Sequence, residues 1–190
     1  MFTMRDFHKI KSGIKSLGSE GQFCPKKSKI AYTMSRMNST LTGETGEKLM
    51  ARYLRRQKYH VRRFGNVNPF DILLDGTIKC EIKTCTMRLK ANGNHPREYV
   101  IHGVKPELFD VLMFVFVTPE GIVTKWTDNK HVTEYLKNRK RQRDGYYIYF
   151  DATCDNENMA YNDSMDDFVK YYKPMSQRVK ESVDRMFPCE

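Results

Sequence analysis

The chain has 190 residues, of which 39% are hydrophobic and 12% aromatic, and its formal net charge is +10 at pH 7. This length and composition suit one folded domain with its own core and exclude a disordered chain. The excess of Lys and Arg indicates a polyanionic partner, nucleic acid before an acidic membrane surface. No apolar run approaches the roughly 18 residues of a membrane-spanning helix, and the first residues lack the apolar stretch of a signal peptide.

The cysteines bear on metal binding, on disulfides and on the cellular compartment. There are five, an odd number, scattered without a Cys-x-x-Cys pair. Cys80 and Cys85 are predicted to lie on opposite faces of one strand, so neither a zinc site nor a disulfide framework is indicated. We therefore expect an intracellular protein, in the cytoplasm or with the nucleoid or nucleus, that is not secreted.

The first part of the chain, residues 1–40, is rich in Lys and Arg. Four helix-breaking residues interrupt any long element there: Gly13, Gly18, Gly21 and Pro25. Two interpretations stay open, a flexible arm that aids solubility and a basic arm that lies along a phosphate backbone. We divide the chain into this N-terminal extension, a core over 41–150, and an acidic loop with a C-terminal helix over 151–190 that packs on the core.

A helix is predicted over about 43–58, with Thr40 or Thr42 as its N-cap. Glu47 precedes two apolar residues at helical spacing, which places its carboxylate on the core-facing stripe. The outer face of this helix is basic, with Arg52, Arg55, Arg56 and Lys58.

A hairpin is predicted from Asn68 to Cys85, because Asp75 and Gly76 form a strong turn signal between two apolar runs. The run Ile72–Leu74 indicates a first strand that is buried on both faces.

Three charged side chains interrupt this hairpin. Asp71 precedes its first strand, and Glu81 and Lys83 lie in the second. Because side chains alternate along a strand, Glu81 and Lys83 leave the same face, opposite to Ile82. Charges on an otherwise buried strand are costly unless they bind something.

After the hairpin, further strands are predicted at 98–102, 111–117, 122–126 and, as the last one, 146–150. The most apolar of them, 111–117, is expected to be the central buried strand. A polar loop is expected over 88–96, and a helix capped by Thr127 or Asp128 leads to the basic run 137–143. A final helix contains Phe168 and its apolar neighbours. This order predicts an α/β fold, with a central mixed sheet flanked by helices.

Phosphodiester hydrolysis by a divalent ion requires clustered carboxylates, because Mg²⁺ prefers oxygen ligands, together with a group that handles the attacking water. A lysine beside the metal can orient or activate that water. Glu47, Asp71, Glu81 and Lys83 supply these groups in chain order.

This pattern resembles the PD-(D/E)xK nuclease superfamily, whose fold is shared by many restriction endonucleases and archaeal-type Holliday junction resolvases. The resemblance rests on Gly46-Glu47 in the helix, Pro69-Phe70-Asp71, and Glu81-Ile82-Lys83, and it spans roughly 43–126. Phe70 between Pro69 and Asp71 departs slightly from the family pattern. The first and last 40 residues lie outside the resemblance.

The resemblance implies a restriction-endonuclease-like core and a Mg²⁺-dependent DNA endonuclease, with Mn²⁺ able to substitute, that leaves 5′-phosphate and 3′-hydroxyl ends. Asp71 and Glu81 would ligate the metal, with the backbone carbonyl of Ile82. Lys83 would orient or activate the water, and Glu47 would contact a second metal or a metal-bound water. We expect a homodimer, so that two sites cut two strands, and no small-molecule cofactor or membrane.

Candidate DNA contacts come from basic residues and one hydroxyl: Arg52, Arg55, Arg56, Thr84, Lys105, Arg139, Lys140, Arg141 and Arg143. Each has a plainer interpretation, a solvated surface residue or, for Thr84, a strand-packing residue. The leading prediction is a restriction-type or general endonuclease. The alternatives are a structure-specific junction resolvase, a non-catalytic nucleic-acid-binding module and an RNA-directed nuclease.

Overall fold

The computed structural model describes residues 28–65, 68–87, 99–118, 121–151, 153–159, 163–178 and 181. Most of the predicted arm, the predicted loop over 88–96 and the last residues of the chain lie outside the described residues. The helices are α1 (Lys29–Ser35), α2 (Ser39–Arg56), α3 (Asn129–Leu136) and α4 (Met165–Tyr171), with a 3₁₀ helix at Pro106–Leu108. The strands are β1 (Val61–Arg63), β2 (Ile72–Leu74), β3 (Ile78–Thr86), β4 (Tyr99–Val104), β5 (Val111–Val117), β6 (Ile122–Asp128), β7 (Tyr146–Phe150) and β8 (Asp163–Ser164).

The central sheet has six strands in the order β1-β2-β3-β5-β6-β8. The pair β3 and β5 is parallel, and every other pair in this sheet is antiparallel. The sheet is therefore mixed, and with its flanking helices it confirms the predicted α/β fold.

Two strand predictions need correction. The strands predicted at 98–102 and 146–150 exist as β4 and β7, but they pair with each other in a separate two-stranded sheet. The strand over 146–150 is also not the last one, because the short strand β8 follows it and adds to the edge of β6. A two-residue strand carries too little periodicity to be seen in the sequence.

The core lies on both faces of the central sheet. One cluster joins α2, β1, β2, β3 and α4, and the other joins β4, β7 and α3. All seven residues of β5 are buried, which confirms this run as the central strand. The first six alternate between the two clusters, and the last, Val117, packs with Ala31 and Met34 of α1.

Helix α2 begins earlier than the sequence predicted. Its N-cap is Asn38, whose side chain accepts a hydrogen bond from Leu41 N at 2.9 Å. The predicted caps, Thr40 and Thr42, are therefore inside the helix. Asn is among the best N-cap residues, and its extended backbone here leaves its side chain free to bond that N–H.

The predicted hairpin is confirmed at its turn. Asp75 and Gly76 have φ of 50° and 75°, and Thr77 N donates to Leu74 O at 3.0 Å. Positive φ at both central residues is the turn that matches the twist of two antiparallel strands. Leu73 is half-buried between two buried neighbours, so the prediction that the first strand is buried on both faces is wrong for its outward side chain.

Two further helices bear on the sequence predictions. Of the two predicted caps of α3, Thr127 and Asp128, it is Asp128 that accepts from His131 N, at 2.9 Å. Helix α1 falls within the predicted arm, yet it buries Ala31 and Met34 against the rest of the fold. No helix in the described part of the chain is long and apolar enough to cross a membrane.

Candidate active site

Asp71 is held at the start of β2 by the neighbouring strand. The register pairs Ile72 with Cys80, so one residue earlier Asp71 stands opposite Glu81. Its backbone N donates to Cys80 O at 3.1 Å, and its Oδ2 accepts from Ile82 N at 2.7 Å. Both the backbone and the side chain of Asp71 are thus fixed against β3.

Glu81 and Lys83 leave the same face of β3, as the alternation predicted. The Lys83 Nζ lies 2.6 Å from Glu81 Oε1, and the two side chains are 25% and 15% exposed. Residues opposite one another on antiparallel strands share a face, so Asp71 lies on this face as well. Two carboxylates and an ammonium therefore meet where the sheet is partly shielded from water.

The environment makes the charge of Asp71 costly. Burial is the largest cause that raises its pKa, to about 7, and the nearby charge of Glu81 adds to it, with a smaller addition from Glu47. The hydrogen bond from Ile82 N and the positive charge of Lys83 act in the opposite direction. Glu81 and Glu47 are therefore both close enough to repel the charge of Asp71, and a cation beside Asp71 would relieve that repulsion.

Glu47 reaches the site from α2, and its side chain is only 14% exposed. Its Oε2 accepts from Arg63 Nη2 at 2.8 Å. The predicted inward position of Glu47 is confirmed, but its partner Arg63 was not foreseen. Arg63 lies on β1 and pairs with Ile72, the neighbour of Asp71.

A close approach between α2 and β3 sets the position of Glu47. A Cβ added to Gly46 would lie 1.8 Å from Thr84 Oγ1, so only glycine fits against this strand. Thr84 Oγ1 is buried and has no hydrogen-bond partner among the described residues. Strand packing thus describes the position of Thr84, and its predicted contact with DNA stays a prediction.

The donor chemistry fits a hard divalent cation, because Asp71, Glu81 and Glu47 all offer carboxylate oxygens. As the side chains stand, however, no three His, Cys, Asp or Glu residues within the described ranges are grouped closely enough to hold a metal ion. Glu81 is engaged by Lys83 and Glu47 by Arg63. The pair Asp71 and Glu81 therefore fits a cation provided that Glu81 leaves Lys83. The part of the Ile82 carbonyl stays a prediction.

Among the other predicted DNA contacts, those on α2 lie toward its C-terminal end. Arg55 Nη2 donates to Val61 O at 3.2 Å, where β1 faces Leu74 beside the hairpin turn. Arg56 is exposed in the last turn of the helix, and Arg52 is half-buried. The register thus places Arg55 at the turn end of the hairpin, and Asp71 and Glu81 at the other.

The remaining predicted contacts also gather away from Lys83. Arg141 Nη2 lies 2.5 Å from Glu107 Oε1, in the 3₁₀ helix that leads into β5. The start of β5 pairs with Cys80, whereas Lys83 pairs with Phe114 farther along the strand. The exposed residues of this group are Lys105, Arg139, Lys140, Arg141 and Arg143.

Sequence reasoning missed a cationic and aromatic surface beside the site. The Arg62 guanidinium lies 4.7 Å from the centre of the Phe64 ring, and Phe64 packs edge-on against Phe70 at 5.3 Å. Phe64 N donates to Asp71 O at 3.1 Å, which ties this surface to the carboxylate. The signal available in the sequence was the adjacent pair Arg62 and Arg63 in a short strand, because neighbouring side chains leave a strand on opposite faces.

No family model matches the chain, and no curated protein matches its sequence. Among solved structures it is similar to a bacterial homing endonuclease, I-Ssp6803I, at 12% identity and a TM-score of 0.48. That match covers 70% of this chain and 95% of the other. A likeness at this level shows neither a shared family nor a shared activity.

Proposed function

We propose that the protein is a divalent-metal-dependent DNA endonuclease that leaves 5′-phosphate ends. The observation that supports this most is the meeting of Asp71, Glu81 and Lys83 on one half-buried face of the hairpin, within electrostatic reach of Glu47. A binding module gains nothing from clustered carboxylates facing DNA phosphates, because they would repel the ligand.

Each residue has a separable part in this proposal. Asp71 and Glu81 hold the cation, Mg²⁺ or Mn²⁺, with the Ile82 carbonyl as a further ligand. When bound, the cation supplies Lewis-acid activation of the phosphate and lowers the pKa of a water. Lys83, released from Glu81, orients the attacking water and stabilises the charge that develops on the phosphate oxygens.

The nucleic acid proposed is DNA, and its cutting on two strands fits a homodimer. Arg52, Arg55, Arg56, Lys105, Arg139, Lys140, Arg141 and Arg143 are proposed to bind the phosphate backbone. Their place toward the turn end of the hairpin implies a duplex that extends well beyond the scissile phosphate. Replacing one of these side chains by Ala should lower the slope of log affinity against log salt by about one.

The decisive experiment is a cleavage assay on plasmid, linear, four-way-junction and single-stranded DNA, and on RNA, with Mg²⁺, with Mn²⁺ and with chelator. Discrete plasmid fragments indicate the restriction-type enzyme, symmetric nicks only in junctions indicate the resolvase, and cleavage of RNA alone indicates an RNA-directed nuclease. Lys83→Ala should lower the rate by about 10²- to 10⁴-fold, the range for losing a positioned acid–base or charge-stabilising group.

Lys79→Ala is the matched control, since Lys79 lies on the same face of the same strand, exposed at the turn end. Its rate should stay close to that of the wild type. If wild type and Lys83→Ala behave alike on every substrate while DNA binding needs no metal, the protein is a binding module and the enzymatic proposal is wrong.

A further inference from the structure

The ion pair between Arg63 and Glu47 lies within electrostatic reach of Asp71, one of the two carboxylates proposed to hold the cation. Its two atoms are 2.8 Å apart, and the side chains are 27% and 14% exposed. A pair this shielded gains little net stability, because the loss of hydration offsets most of its attraction. Its presence at this point of the fold therefore suggests a role in the site.

Arg63 is fixed relative to the carboxylates by the backbone of the sheet. It pairs with Ile72 across the β1–β2 ladder, and the next residue, Phe64, donates its N–H to Asp71 O at 3.1 Å. A positive charge is thus built into the strand beside Asp71, and it does not depend on a loop to bring it there.

The guanidinium of Arg63 is not saturated by Glu47. Arg offers five N–H donors and stays charged at any relevant pH. One terminal nitrogen binds Glu47, while Nε is buried without a hydrogen-bond partner among the described residues. The guanidinium thus keeps donor capacity beyond the bond that holds Glu47.

We propose that Arg63 takes the place of a second metal ion, so that the site holds one divalent cation, on Asp71 and Glu81. In this arrangement Glu47 is a positioning residue for Arg63 and is not a metal ligand. This inference rests on the proposed function, and it replaces the predicted contact of Glu47 with a second metal. It follows from charge balance, because Glu47 already has a full positive partner whereas Asp71 does not.

The test is the number of Mn²⁺ ions that the full chain binds, measured by isothermal titration calorimetry. The wild type should bind one ion, and Asp71→Asn should lose it. Glu47→Gln should still bind one ion, with the affinity weakened by less than about tenfold, since a nearby positive charge is left without its partner. Glu44→Gln is the control, because this substitution removes the same charge from the exposed face of the same helix.

Arg63→Gln tests the pair from the other side. Without the guanidinium, Glu47 regains an unpaired carboxylate, and a second Mn²⁺ should bind, weaker than the first. If the ion pair only supported the fold, Arg63→Gln would lower the stability of the protein without adding an ion. The number of bound ions therefore separates a structural role of Arg63 from its proposed role in place of a second metal. The second ion can also be counted by the luminescence of bound Tb³⁺.

Two results would overturn the inference. One is two ions on the wild type of which Glu47→Gln loses one, a measurement that holds even if Arg63→Gln does not fold. The other is a folded Arg63→Gln that still binds a single ion. Absence of Mn²⁺ binding by the wild type would instead refute the proposed function itself, so the two failures can be told apart.

Discussion

The two faces of strand β3 contribute to the stability of the fold with opposite signs. On one face Cys80, Ile82 and Thr84 pack against α2, and Gly46 allows that helix to come close. On the other face Glu81 and Lys83 stand beside Asp71, half-shielded from water. The first face lowers the energy of the fold by removing apolar surface from water, whereas the second raises it by crowding like charges.

Under the proposed function, one strand would serve both stability and chemistry. Side chains alternate along a strand, so the packed face holds the charged face in place without sharing its side chains. Substitutions on the packed face should therefore change the free energy of unfolding. Substitutions on the charged face should change catalysis and metal binding, and some should make the metal-free protein more stable.

The largest expected effect on stability is on the packed face. Ile82→Ala should lower the free energy of unfolding by about 3 kcal/mol, because it removes a side chain that is only 6% exposed and leaves a cavity in the core. Urea unfolding followed by circular dichroism measures the change. Val123→Ala, at an exposed position on β6, is the control and should stay within about 0.5 kcal/mol of the wild type. A small loss for Ile82→Ala would mean that α2 does not pack tightly on β3.

Gly46→Ala should have the next largest effect. The added methyl would overlap Thr84 Oγ1, and relieving that overlap by shifting α2 or β3 should cost about 1–3 kcal/mol. The shift should also displace Glu47, the neighbour of Gly46, and lower activity beyond the loss of folded protein.

The same helix supplies the comparison for this variant. Nothing lies within 4 Å of a Cβ added at Gly43, so Gly43→Ala should raise stability by up to about 1 kcal/mol through helix propensity alone. Equal effects of the two substitutions in thermal unfolding would refute the close approach of α2 to β3.

On the charged face we expect a substitution to raise the free energy of unfolding rather than to lower it. Asn at position 71 keeps an oxygen for the Ile82 N–H but carries no charge, so Asp71→Asn should stabilise the metal-free protein near pH 8 by roughly 2 kcal/mol. Asp71 has a pKa of about 7 in the folded protein and an ordinary pKa of 3.8 in the unfolded chain. The folded state therefore keeps the full stability of the neutral carboxyl group below pH 3.8, and it loses that stability as the pH rises to 7. The advantage of Asp71→Asn should therefore grow between about pH 4 and 7.

Chemical unfolding across that pH range in the presence of chelator checks this result. Added Mn²⁺ should stabilise the wild type and leave Asp71→Asn unchanged, because only the wild type keeps the ligand. Asp144→Asn, an equal change of charge on an exposed turn, should show no such pH-dependent gain. A difference between Asp71→Asn and wild type that stays constant with pH would contradict the crowding of carboxylates at the site.

Several elements were predictable because their signals are local. The turn at Asp75 and Gly76, the buried run over 111–117, and the Asp128 cap each depend on a few neighbouring residues. The inward position of Glu47 followed from helical spacing. The start of helix α2 was predicted wrongly, because Thr40 and Thr42 both resemble caps in the sequence, whereas the extended backbone at Asn38 makes that residue the N-cap.

Sequence alone determined which residues share a face of one strand or helix, and hence that Glu81 and Lys83 leave β3 on the same side. Strand register added Asp71, which stands opposite Glu81. Tertiary structure decided which partner each charge has. The pairing of Arg63 with Glu47 and the contact of Gly46 with Thr84 join residues far apart in the chain. Strand register and helix packing create these contacts, and the periodicity of a single segment carries no information about either.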